Sequence, residues 1–326
     1  MDPDFLIQTL ASVVAAATPV VFASVGETIS EKVGVINLSL DGSIALSAMA
    51  GFAVAFTTGS ATLGMAAAMV VGGLIALILA FASITLRREQ VAVGFVLTML
   101  CSALADFLGS PFVRRRGPTV AHWPIPLLSE IPVVGPILFN HDVVVYIGML
   151  AIVASWWWIH RTQPGLKLRG VGERPEAAFA RGVNVNRYRY IYTVVGGALV
   201  GLAGASYSLS VKLGWSHGHT SGIGWIALAI VIFGGWSPWR VAFGAYLFGI
   251  LKALGSILQR NPAFTGVPTQ IFSSAPFALM IFALLLISSE GVDRLLALLP
   301  PSVARQIDRT VRGRPPDGLG QPFGQD

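Results

Sequence analysis

Charge is scarce in this sequence. Of 326 residues only 12% are Asp, Glu, Lys or Arg, against 54% hydrophobic, a balance that excludes an ordinary soluble domain. Cysteine is nearly absent: Cys101 stands alone in an apolar run, which excludes an intrachain disulfide and a cysteine-rich metal centre. The phosphate-cradling pattern GxxxxGK[ST] is missing, and with it the loop that would let the chain hydrolyse ATP itself. His217 and His219 in "GWSHGHT" offer a pair of ligands where a zinc site needs three or four. His122, His141 and His160 read as loop or interface residues, and no Ser, His and Asp set has a motif around it. The chain therefore reads as no enzyme and as holding no cofactor or metal of its own. The net charge of +6 lacks the basic and aromatic surface pattern of a nucleic-acid binder. No basic start precedes the first apolar stretch, "MDPDFLIQTLASVVAAATPVVFAS", so it reads as a membrane helix rather than a cleaved signal.

What is present is apolar length. Mean hydropathy is +0.70, with 36 Gly and 18 Phe. Apolar runs fall at about 5–23, 36–58, 61–86, 90–109, 142–160, 190–211, 222–236, 239–258 and 271–289. A spanning helix needs roughly 20 such residues, and the alternation of a membrane barrel is absent. The expected fold is an all-α polytopic membrane protein, a bundle of about nine transmembrane segments. The run at 222–236 is short and ends on Gly234, Gly235 and Pro238, the pattern of a broken or re-entrant helix.

Basic residues set an orientation. If the 161–189 joint is cytoplasmic, that side holds 16 Lys and Arg and the opposite side 5, with Lys252 inside a span. The positive-inside rule then puts the N-terminus outside and the chain after Glu290 inside. Arg114, Arg115 and Arg116 are the discordant external cluster. The expected organisation is a membrane domain over 1–290, a Pro-rich external loop over 110–140, and a basic, disordered cytoplasmic tail over 291–326.

Polar groups inside spans mark either a pathway or helix–helix bonding. Asn37, Ser39, Asp41 and Ser43 fall in one run; in a regular helix Asn37 and Asp41 would share a face. Both readings stand for them. Thr98 is a weaker candidate, and Phe95, one turn away, offers a ring that could stack on a base. Asp106 near a span end and Lys252 have structural explanations.

The joint "VGERPEAAFARGVNVNRYRY", Val171–Tyr190, is dense in charge for so apolar a chain. Pro175 fits a first helical turn, Glu173 and Glu176 complement the dipole, and Gly182 can end the helix. This stretch resembles the cytoplasmic coupling segment of ABC-type permeases of the branched-chain amino acid, ribose and nucleoside family. "GETISEKVGVINLSLDGSIALSAMAG", Gly26–Gly51, and "ALAIVIFGGWSPWRVAFGAYLFG" are similar to further signatures of that family. The N-terminal string "FLIQTLASVVAAATPVVFASVGE" is most like the smaller permease subunit of nucleoside and simple-sugar importers. Asp41-Gly42 stands where that family commonly has Glu-Gly, Ser39 where Gly is common, and Ser43, Ile44 and Ala45 replace larger residues.

The resemblance implies an ABC importer permease fold and a bacterial inner-membrane protein that uses the ATP hydrolysed by a partner. It implies as partners a second permease subunit, ABC ATPase subunits and an extracytoplasmic substrate-binding protein, and as cargo a nucleoside or related sugar. Gly172, Glu173, Arg174, Pro175, Ala177, Ala178 and Gly182 would then form the helix that docks on the ATPase. The competing reading is an ion-coupled secondary transporter, which wants carboxylates at mid-membrane, where only Asp41 is a candidate. A channel would want a charged ring or a carbonyl filter, and no stretch matches one.

Overall fold

In lipid a backbone must satisfy its own hydrogen bonds, and apolar runs of this length do so as helices. A computed structural model describes residues 3–259 and 313–324, with isolated positions between 268 and 282. Its helices are α1 Pro3–Lys32, α2 Leu40–Thr58, α3 Ala61–Ala80, α4 Gln90–Gly109, α5 Val134–Leu138 and α6 Val143–Arg161. They continue as α7 Gln163–Glu173, α8 Pro175–Ala180, α9 Val185–Ser206, α10 Ile223–Phe233 and α11 Pro238–Gln259. Wider π-turns extend α3 to Thr85 and α9 to Val211. Among the described residues there is no strand, only the isolated bridges Val113–Trp215 and His122–Asp142.

Seven described helices are long and apolar enough to cross a membrane, fewer than the nine or so expected. The difference has two sources. α10 has 11 residues, roughly 16 Å, against a hydrocarbon core of roughly 30 Å. The run at 271–289 lies outside the described residues.

Local chemistry places the helix ends. Gly59, at φ +74°, closes α2 by donating its N–H to the Ala55 carbonyl at 2.9 Å. Asp142, Thr162 and Asn184 cap α6, α7 and α9, each side chain accepting an N–H of the first turn. The charged joint is thus two short helices, α7 and α8, followed by Gly182 at φ +79°.

Small residues set the packing. A Cβ on Gly72 would strike the backbone of Gly197 and Gly201, and one on Gly201 that of Ala68. α3 and α9 therefore meet almost backbone to backbone, the seam through which helices associate when lipid supplies no hydrophobic drive. Gly26 and Gly196 bring α1 equally close to α9.

Candidate functional site

α1 runs past Ala23, where its apolar pattern weakens, because Glu27 and Glu31 find partners inside the protein. Glu27 is wholly buried, and its Oε1 accepts the Asn37 N–H at 2.9 Å. Glu31, 4% exposed, accepts the indole N–H of Trp236, a residue with φ +56° in the break between α10 and α11. Both glutamates lie in the span that sequence reasoning ends at residue 23. The one signal that could have found them is their i, i+4 spacing inside "GETISEK".

Residues 33–39 are unwound, so Asn37 lies before α2 and shares no helical face with Asp41. The Asn37 Oδ1 accepts the Ser39 N–H at 3.0 Å and the Ser39 hydroxyl at 2.5 Å, and Ser39 and Ser43 hydroxyls meet at 3.1 Å. All three side chains are buried. The Gln90 Oε1 holds the Ile36 N–H at 2.8 Å. This inner set fastens the link between α1 and α2.

The outer set faces away from the core. Asp41 sits in the first turn of α2, and its Oδ1 accepts the Gly224 N–H of α10 at 2.9 Å. Two helix N-termini converge on one carboxylate, which suits the positive ends of their dipoles. α4 closes against them: the Thr98 hydroxyl donates to the Leu38 carbonyl at 2.8 Å, and Gly42 leaves no room for a side chain against Thr98. Beside them the Phe95 and Trp225 rings lie 5.7 Å apart, 49% and 39% exposed. Sequence reasoning reached Asp41, Phe95 and Thr98 but missed Trp225 and Gly224. The structure thus gathers all six pathway candidates around one helix break and divides them, three inside and three outside.

On α7 and α8, Glu173, Arg174, Glu176, Ala177, Ala180 and Arg181 are exposed, while Gly172, Pro175 and Ala178 are buried. Ala178 is a correction: it packs into the chain's own main apolar cluster and offers no surface to a partner. Ala177 carries the free face. Residues 313–324, expected as a loose tail, pack against this region, with Pro316, Gly318 and Phe323 buried.

The two histidines of "GWSHGHT" diverge. His217 Nδ1 lies 3.2 Å from Asp106, whereas His219 stands edge-on to Trp215 at 4.5 Å, and burial lowers its pKa.

The starts of a membrane-length helix, α2, and a short one, α10, meet at a break beside an exposed aromatic pair, the kind of broken-helix site at which transporters hold their cargo. The chain belongs to the family described as "Branched-chain amino acid transport system / permease component", whose profile matches residues 9–287. It is 39% identical to the putative glucose ABC transporter permease protein TsgC13 of Haloferax volcanii, over 75% of this chain and 76% of that one. It is 32% identical to the nucleoside ABC transporter permease protein NupC of Lactococcus lactis (87% and 93% covered). With the guanosine ABC transporter permease protein NupQ of Bacillus subtilis it shares 33% (86% and 92%). The same Lactococcus has a second, weaker relative, the nucleoside ABC transporter permease protein NupB, 29% identical over 42% of this chain and 36% of its own. No solved structure matches the chain.

Proposed function

We propose that this chain is one of two pathway-forming permease subunits of an ATP-driven importer, and that its cargo is a nucleoside or a related simple sugar. The observation that carries this reading is the outer set: Asp41, Thr98, Phe95 and Trp225 line a polar and aromatic patch on the chain's surface at a helix break. Exposed rings beside a carboxylate fit a ligand that is flat on one part and hydroxyl-rich on another. Because the patch opens outward, a second permease completes the walls, which agrees with the paired nucleoside permeases of the Lactococcus relatives.

Energy arrives through α7 and α8. Their exposed charges and the small Ala177 side chain suit a helix laid in a groove of an ATPase subunit. This side is cytoplasmic by the distribution of basic residues, and the 110–140 loop is external, facing a binding protein. The buried Glu27 and Glu31 favour the ion-coupled alternative more than the sequence did. Glu31 is engaged by Trp236 and Glu27 Oε1 by the Asn37 backbone, while Glu27 Oε2 has no partner among the described residues; the ATP-driven reading rests on the family and not on these carboxylates.

The test is uptake of labelled guanosine, ribose and glucose by the assembled complex in liposomes. Uptake that needs ATP and survives an ionophore supports the proposal. Gradient-driven uptake by this chain alone overturns it. Labelling of single cysteines at Asn184 and Pro126, with Cys101 replaced, decides the orientation: outside-only labelling at Asn184 reverses it.

A further inference from the structure

Residues 313–324, "GRPPDGLGQPFG", touch every joint at the α7–α8 end of the bundle. Gly313 lies against Gly235 in the α10–α11 break. The Gly318 N–H donates to the Gly172 carbonyl of α7 at 2.9 Å, and the Gly320 N–H to the Gly34 carbonyl of the α1–α2 link at 3.1 Å. The Phe323 ring enters the main apolar cluster and meets Phe179 of α8 edge-on at 5.8 Å. Gly324 lies close to the Arg87 guanidinium in the α3–α4 joint.

Arg189 of α9 is the socket. It is 2% exposed and the largest of the fully buried side chains among the described residues. Its two terminal nitrogens donate to main-chain carbonyls of this segment, to Gln321 at 2.8 Å and to Gly318 at 3.4 Å. Among the described residues its Nε–H has no acceptor, and both hydrogen bonds of the guanidinium go to this segment. A buried cation without acceptors is strongly disfavoured. Glycine fits the path: a Cβ on Gly318 would press on the Gly172 carbonyl, and Gly320 has φ +73°.

We infer that residues 313–324 are a fixed strap that transmits movement of the coupling helices α7 and α8 to the α1–α2 link and the α10–α11 break. Two observations separate a fixed strap from a releasable brake. Release would break both Arg189 hydrogen bonds and draw Phe323 out of the main apolar cluster. The strap touches Gly172, Glu173 and Pro175 but leaves Arg174, Glu176 and Ala177 exposed, so it borders the face assigned to the ATPase and leaves the Ala177 side of α8 open. The link it grips at Gly34 leads directly to Asn37 and, four residues on, to Asp41. The inference rests on the coupling role proposed for α7 and α8.

The test uses the full complex in liposomes. Gly318→Leu, which crowds the strap off Gly172, and Phe323→Ala, which loosens its anchor, are compared with wild type for ATPase copurification, ATP hydrolysis and uptake. The expected result is retained ATPase binding and hydrolysis with about tenfold less uptake per ATP, a size usual for coupling between sites. An unchanged ratio, increased uptake, or loss of ATPase binding overturns the strap. A second measurement spares the glycines of the strap: with Cys101→Ser, the pair Ile36→Cys and Gln321→Cys, the latter exposed and next to the Gly320 that lies against Ile36, is joined by a short bismaleimide in membranes. A fixed strap gives efficient linkage and undiminished uptake. Failure to link, or linkage that stops uptake, overturns it. A wild-type complex without ATP-driven uptake would instead sink the coupling reading, whatever the strap variants do.

Discussion

The Asp41 carboxylate, in the first turn of α2, accepts the Gly224 N–H in the first turn of α10 across 183 residues of sequence, at 2.9 Å. One acidic side chain thereby holds two helix starts together. Asp41→Asn keeps an acceptor for Gly224 and removes the charge; Asp41→Ala removes both. Asn should therefore retain thermal stability while lowering uptake, whereas Ala should also lose about 1 kcal/mol, the usual cost of a lost cap. Parallel melting and uptake curves check this, and full uptake by the Ala variant would remove Asp41 from the site.

Asn37 should behave differently. Its side chain is buried and spent on Ser39, and its own N–H on Glu27. Asn37→Ala is expected to cost stability, about 1–3 kcal/mol for the polar groups left unpaired, before it touches substrate affinity. A stable variant with a raised KM would instead put Asn37 in the pathway.

Phe95 and Trp225 should govern selectivity. Replacing either by Ala exposes no core, since both rings are well exposed already, but removes a stacking face. Nucleoside uptake should fall by about 1 kcal/mol or more of binding, within the range for aromatic pairs, while a sugar without a base is less affected. Competition assays with guanosine and ribose read the difference, and equal losses for both would reject a stacking role.

The bond from Trp236 to Glu31 couples the α10–α11 break to α1. Trp236→Phe strands a buried carboxylate, whereas Glu31→Gln preserves an acceptor. The double variant should be less damaged than the sum of the singles, because groups in direct contact interact by about 0.5–3 kcal/mol. Additive losses would show that the bond does not join the two elements.

On the coupling helices, Ala177→Trp should abolish ATPase copurification in a chain that still inserts and folds, since an added ring overpacks a docked face. Ala178→Trp should fail earlier, at folding, because its side chain points into the core. Normal ATPase binding by Ala177→Trp would free α8 of the assigned role.

Composition alone determined that this chain lives in lipid as a helical bundle, because nothing else accommodates so many apolar residues with so few charges. Turn chemistry at Pro175 and Gly182 was legible because it is local. The short α10 was legible too, from Gly234, Gly235 and Pro238. The length of α1 was not. Hydropathy stops at Ala23 because Glu27 and Glu31 look costly in lipid, and their partners Asn37 and Trp236 are supplied by the fold. Nor could spacing assign Asn37 and Asp41 to different sides, because the chain between them leaves the helix only where Gly34 and the Glu27 carboxylate take up its backbone groups. The inward turn of Ala178 and the seating of residues 313–324 were likewise decided by tertiary structure. A Gly- and Pro-rich stretch has no periodicity of its own, and what orders it is a buried arginine more than a hundred residues away.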